Sequence, residues 1–212
     1  GTSRNPDKYK DTSPFPLLKM EVTSLESVQE SVNELLKQEE RVDVLINNAG
    51  VGITGPIEET PNAEIEKAFA TNLYGPINVI KAVLPTMREQ GSGTIINITS
   101  IAGYMGLPYR GIYSAPGDFA TNIAASRYHA PQLENSPYKK EYGNTLKLMD
   151  EHVDSGEDPD KMAKVVHQII ETKNPKVHYK VGSFLQKFSV VLKKILPDKT
   201  YERMLLNHYK LK

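Results

Sequence analysis

The feature that most constrains this chain is a repeated alternation of two hydrophobic periods. The compact β-branched run Val42-Asp43-Val44-Leu45-Ile46 stops at Asn47-Asn48-Ala49-Gly50. Apolar residues then recur at helical spacing through Ile65, Phe69, Leu73, Val79, Ile80, Val83 and Leu84, ending near Met87. A turn at Gly91-Ser92-Gly93 leads into a second buried-type run, Thr94-Ile95-Ile96-Asn97-Ile98-Thr99. Upstream, the short apolar run Leu17–Met20 precedes Thr23-Ser24-Leu25-Glu26, which reads as a capping box. Behind it Leu25, Val28, Val32, Leu35 and Leu36 share one face of a helix over 24–38. This alternation predicts an α/β fold, a parallel sheet with helices on both faces. Ligands of such sheets bind beyond the carboxyl ends of the strands, here Asn47–Gly50 and Thr99–Ser100.

The second half is less regular. Residues 122–150 are polar, rich in Tyr, Asn and Lys, and show no clear strand. Asp158-Pro159 opens a helix with Met162, Val165, Val166, Ile169 and Ile170 on one face. Lys176–Val181 reads as a final strand. A basic amphipathic helix over 184–196 follows, with Phe184, Leu185, Phe188, Val191, Leu192 and Ile195 inward.

Composition excludes more than it assigns. The 212 residues, 39% hydrophobic and 25% charged with zero formal net charge, suit a single α/β domain over 1–212. A nucleic-acid binder would need a basic excess, so no nucleic acid is expected. There is no cysteine, and the five histidines are scattered without H-x-x-x-H spacing, so no metal site is expected. Absent cysteine fits a reducing, cytoplasmic location. Gly1 is not a natural beginning, so the lack of a leader says little.

Ser100 and Tyr113 form the sharpest chemical pair, thirteen residues apart across a loop with Gly103, Gly106 and Pro108. A serine hydroxyl at a strand end can hold a carbonyl while a phenol gives or takes its proton. Pro76 has no N–H, so the Asn72 carbonyl four residues earlier lacks its α-helical donor and is open to another, such as water.

With Asn47-Asn48-Ala49-Gly50, Thr71-Asn72-Leu73-Tyr74-Gly75, Ile98-Thr99-Ser100, Tyr113-Ser114-Ala115 and Pro116–Thr121 in this order, the chain resembles the short-chain dehydrogenases/reductases. Met105-Gly106-Leu107-Pro108 and the extended C-terminal part are most similar to the branch containing 17β-hydroxysteroid and retinol dehydrogenases. The resemblance implies a Rossmann-like doubly wound sheet, with Tyr113 as acid/base, Ser100 orienting the substrate oxygen and Asn72 holding a relay water. It implies that Asn48, Ala49, Gly50, Pro116, Gly117 and Thr121 line the cofactor. Arg4, just after the family's second strand, favours NADP over NAD through a 2′-phosphate, and Glu21 stands where adenine-side contacts are made. Tyr104, Met105, Leu107, Tyr109 and Phe119 suggest an apolar alcohol or carbonyl substrate. Homodimers or homotetramers are usual in the family, often through the long helix bearing Asn72.

Two departures stand out. The family's glycine-rich phosphate loop has no counterpart, because the chain starts too late for it. The lysine expected four residues after Tyr113 is replaced by Gly117. Tyr113-Ser114-Ala115 and Pro116-Gly117 abut, although in the family a helix and a strand separate them. A strand–helix–strand unit takes about thirty residues, so segments of that size are expected to be missing at this junction and before Gly1; restoring both gives about 270 residues. Taken literally, the same departures describe an inactive relative used for binding or assembly. Finally, residues 184–212 carry seven basic residues against Asp198 and Glu202. They read either as a solvated helix over the substrate site or as a weak membrane-surface contact.

Overall fold

Every described strand pairs in parallel, in three two-stranded ladders. The structure, a computed structural model, describes residues 1–104, 107–114, 127–131, 134–154, 158–209 and 211; for 101, 104, 113–114, 150–154 and 185–186 it describes backbone alone. The residues pack as two compact units: Gly1–Ala49 with Phe69–Ile98, and Gly50–Ala68 with Thr99–Lys212.

In the first unit, β1 (Thr2–Ser3) pairs with β2 (Leu18–Lys19). The Val42–Ile46 run becomes β3 (Val44–Asn47), which pairs with Thr94–Asn97 so that Val44 faces Thr94 and Asn47 faces Asn97. Helix α1 (Leu25–Glu39) starts one residue later than a Thr23 capping box predicts. Ser24 has the extended backbone of a cap, and its Oγ accepts the Ser27 N–H at 3.2 Å, whereas the Thr23 hydroxyl donates back to Glu21. The helix closes at Glu40, in the left-handed region at φ 59°.

The long helical pattern divides into α2 (Asn62–Phe69), a π-helical turn (Ala70–Tyr74) and α3 (Gly75–Gln90). The π turn falls where Pro76 removes a donor, and the Gly75 N–H reaches back to the Ala70 carbonyl. Gly91, at φ 67°, ends α3 in a conformation that glycine adopts at little cost. Val28 and Val32 of α1 meet Val79, Val83 and Met87 of α3, with Met20 and Val42, in one buried cluster. Both helices present residues four apart, which is how an amphipathic helix buries one stripe.

In the second unit, β4 (Ile53–Thr54) pairs with Tyr128–His129. The strand at 128–129 lies in a stretch that reads as strandless, because two residues are too few to show a period of two. The same stretch holds α5 (Lys139–Asp154), whose polar surface hides buried Tyr142, Thr145 and Met149. Helix α6 (Pro159–Glu171) begins where Asp158-Pro159 predicts, the Asp158 carboxylate accepting the Asp160 N–H at 2.9 Å.

Two expectations fail here. Lys176–Val181 forms no strand: Val177 is 90% exposed and the segment pairs with no described strand. The helix predicted over 184–196 forms as α7 (Phe184–Ile195), followed by α8 (Asp198–His208), but only part of the expected face is inward: Leu192 packs as expected, whereas Phe184, Phe188, Val191 and Ile195 are exposed. Phe184 and Ile195 are 75% and 72% exposed, while Val190 is buried against Tyr201 of α8. Periodicity reveals which residues share a face, not whether protein covers that face.

Candidate functional site

Four of the eight predicted cofactor residues, Arg4, Glu21, Asn48 and Ala49, lie in the first unit, each shortly after a strand. Asn47, at the end of β3, is buried and its side-chain N–H donates to Asn97 Oδ1 at 2.8 Å. Asn48 and Ala49, directly after it, are exposed. Arg4 is exposed directly after β1, and its guanidinium has no hydrogen-bond or ion-pair partner among the described residues. Arg4 and Asn48–Ala49 thus each follow the carboxyl end of a parallel strand, where ligands of such sheets bind. Glu21 is half-buried, and its Oε1 accepts both the backbone N–H and the hydroxyl of Thr23, at 3.2 and 3.0 Å. One carboxylate oxygen is therefore committed to its own turn.

Asn72 is half-buried within the π turn. Its neighbour Gly75 packs so closely on Val22 that an added Cβ would lie 2.8 Å from Val22 Cγ2. Asn78 then donates to the Val22 carbonyl at 3.0 Å, tying α3 to the segment that follows β2.

Ser100 and Tyr113 belong to the second unit, as does Gly50, which is half-buried. Ser100 Oγ accepts the Ala102 N–H at 3.1 Å, and the Ser100 carbonyl accepts the Gly103 N–H at 3.1 Å. These bonds start the 3₁₀ turn Ile101–Tyr104 and leave the Ser100 proton for donation. The turn packs against α4 (Gly111–Ser114), the short helix bearing Tyr113. Buried Ala102 and half-buried Ile112 share a cluster with Ile53, so the two segments are joined through apolar contact. Leu107 touches this cluster and also that of Val190 and Tyr201.

Tyr109 is the most constrained of the predicted substrate residues. Its φ is +56°, a conformation that costs a non-glycine residue about 1–2 kcal/mol. Two donors hold its carbonyl, Thr54 Oγ1 and the Gly55 N–H, each at 2.9 Å. Its ring lies edge-on to Tyr138 at 6.3 Å and tilted to Tyr142 at 5.2 Å. Burial, with Glu141 and Glu59 nearby, raises its phenol above the ordinary tyrosine value. The Tyr142 hydroxyl donates to the Thr54 carbonyl at 3.0 Å, and burial pushes its pKa up to about 12. A hydrogen bond to the Glu58 carboxylate raises Tyr138.

Tyr104 and Tyr113 are described by backbone alone; Met105, Pro116, Gly117, Phe119 and Thr121 lie outside the described residues, with the Ala115–Pro116 junction. Sequence reasoning missed Asn97, Asn78, Thr54 and Tyr142. Asn97 alone had left a signal, a polar residue inside an apolar strand run.

A family model described as short chain dehydrogenase matches residues 7–126, more than half of the chain. The chain belongs to the short-chain dehydrogenases. Oxidoreduction at a CH–OH group is the chemistry of this family. Among individual members, the chain is 33% identical over 240 residues to the 3-ketodihydrosphingosine reductase of Bacteroides thetaiotaomicron, covering all of this chain and 88% of that one. Within that span of 240 aligned positions this chain supplies 212, so at least 28 residues of the relative lack a counterpart. Retinol dehydrogenase 8 of Bos taurus is 40% identical over 96 residues, 45% of this chain and 30% of the relative, on the side of the retinol branch. A short-chain dehydrogenase from Streptomyces avermitilis superposes with a TM-score of 0.76 over 99% of this chain and 86% of its own, at 22% identity; this likeness shows the Rossmann-like fold. ElxO with NADP bound reaches a TM-score of 0.51 at 33% identity, over 54% of this short-chain dehydrogenase and 50% of that chain.

Proposed function

We propose that this short-chain dehydrogenase is one NADP(H)-dependent oxidoreductase domain that interconverts an apolar secondary alcohol and its ketone, or a primary alcohol and its aldehyde. The reading rests on one observation: the 3₁₀ turn headed by Ser100 packs against the helix that bears Tyr113. The Ser100 hydroxyl donates to the substrate carbonyl oxygen, and Tyr113 supplies the proton during reduction or removes it during oxidation. Asn72 holds the water through which that proton exchanges with solvent. The nicotinamide, when bound, supplies or accepts the hydride.

Arg4 would hold the 2′-phosphate, which is the argument for NADP over NAD, and the NADP-bound state of ElxO agrees with it. Asn48, Ala49 and Gly50 would lie against the dinucleotide, with Pro116, Gly117 and Thr121 at its nicotinamide end and Glu21 near the adenine. Tyr104, Met105, Leu107, Tyr109 and Phe119 would line the substrate pocket, with 122–150 as its lid. The name of the Bacteroides relative, 3-ketodihydrosphingosine reductase, supports a ketone substrate. Leu73, Tyr74, Ile77 and Leu84 leave an exposed apolar surface along the π turn and α3, which fits a homodimer or homotetramer closed by this helix.

The test is oxidation of NADPH and NADH followed by absorbance with a panel of apolar ketones. NADPH turnover that Ser100→Ala and Tyr113→Phe each lower by about 10²-fold or more supports the reading. Gly117, standing where the resemblance expects lysine, favours a second reading, a non-catalytic relative. Dinucleotide binding without turnover of any ketone in the panel would decide for it.

A further inference from the structure

We propose that α7 is a docking surface for an anionic lipid bilayer. Phe184, Phe188, Val191 and Ile195 recur at spacings of four, three and four residues, which places them along one stripe of the helix. They are 75%, 42%, 43% and 72% exposed. The two phenylalanine rings stack with centroids 5.6 Å apart, so the stripe begins as a continuous apolar surface. On another side of the same helix Val190 is buried against Tyr201 of α8, which anchors the helix and leaves the stripe outward.

Charge selects the occupant. Lys187 and Lys194, each three residues beyond a member of the stripe, border it, and both are exposed. The helix carries no acidic residue. An apolar stripe edged by cations matches the boundary between anionic headgroups and acyl chains. A second copy of the chain offering the same stripe would bring like charges together. No helix among the described residues is long and apolar enough to cross a membrane, so α7 lies along the surface.

The experiment is flotation of the full chain with vesicles of phosphatidylcholine alone or with about 30% phosphatidylglycerol, at low salt and at ~0.5 M salt. Binding should require the anionic lipid and disappear at high salt. Each neutralised lysine should lower partition about fivefold, so Lys187→Gln with Lys194→Gln lowers it on the order of twentyfold. Phe188→Ser with Ile195→Ser alters exposed side chains only; it should abolish binding while thermal unfolding stays unchanged. Absence of binding at low salt, or serine variants that float as well as the parent, would overturn the proposal. So would a protein that is dimeric without vesicles and becomes monomeric in the serine variant, since the stripe then belongs to a second copy.

Discussion

The Asn47 side-chain N–H donates to Asn97 Oδ1 at 2.8 Å, joining the carboxyl ends of two parallel strands at the point where the Asn-Asn-Ala-Gly segment leaves the sheet. Asn47 is only 9% exposed, so its amide depends on that partner. Asn97→Ala should therefore cost about 1–2 kcal/mol, mostly as an unsatisfied buried donor. Asn97→Asp keeps the acceptor and should recover most of the loss. Chemical denaturation of the two variants checks both; equal destabilisation would show that the bond contributes little.

Helix α1 buries a polar side chain among its apolar ones. Ser31 is 4% exposed, and its hydroxyl has no hydrogen-bond partner among the described residues. Ser31→Ala removes a desolvated group and improves helix propensity, so it should stabilise the protein by about 1 kcal/mol. A rise of the denaturation midpoint at unchanged slope is the expected result.

Tyr142 makes stability depend on alkaline pH. Its pKa, pushed up to about 12 by burial, exceeds the unfolded value of about 10. Its contribution is fully present below pH 10 and is lost as pH rises through 12, because the unfolded chain ionises first. That loss amounts to about 3 kcal/mol at most. Tyr142→Phe should lower stability at neutral pH through the missing bond to Thr54 and flatten the decline between pH 10 and 12. Unfolding free energies measured across that window decide it.

The exposed stripe along Leu73, Ile77 and Leu84 should close an interface between two copies. Ile77→Lys together with Leu84→Lys should convert a dimer or tetramer to monomer in sedimentation velocity, with little change in the monomer's melting temperature.

The alternation of Val42–Ile46, the long helical run and Thr94–Thr99 carried the fold because long elements with one buried stripe write their period into the sequence. The same physics explains the failures. A two-residue strand at Tyr128–His129 shows no period, and the stripe of α7 has the same spacing whether it faces protein or solvent. At the site, Ser100 and Tyr113 stood out by the company of their motifs. The bonds of Thr54 and Tyr142 were illegible, since each joins side chains or backbone groups far apart in sequence, across 55 and 88 residues.

Tyr109 separates two properties that usually move together. Its backbone favours glycine and its ring favours tyrosine, so relief of one is loss of the other. Replacing it would let the segment between Ser100 and Tyr113 sample more shapes even where the net change in folding free energy is small. At this one position, how firmly the chain is folded and how firmly the candidate reactive groups are held become independent quantities.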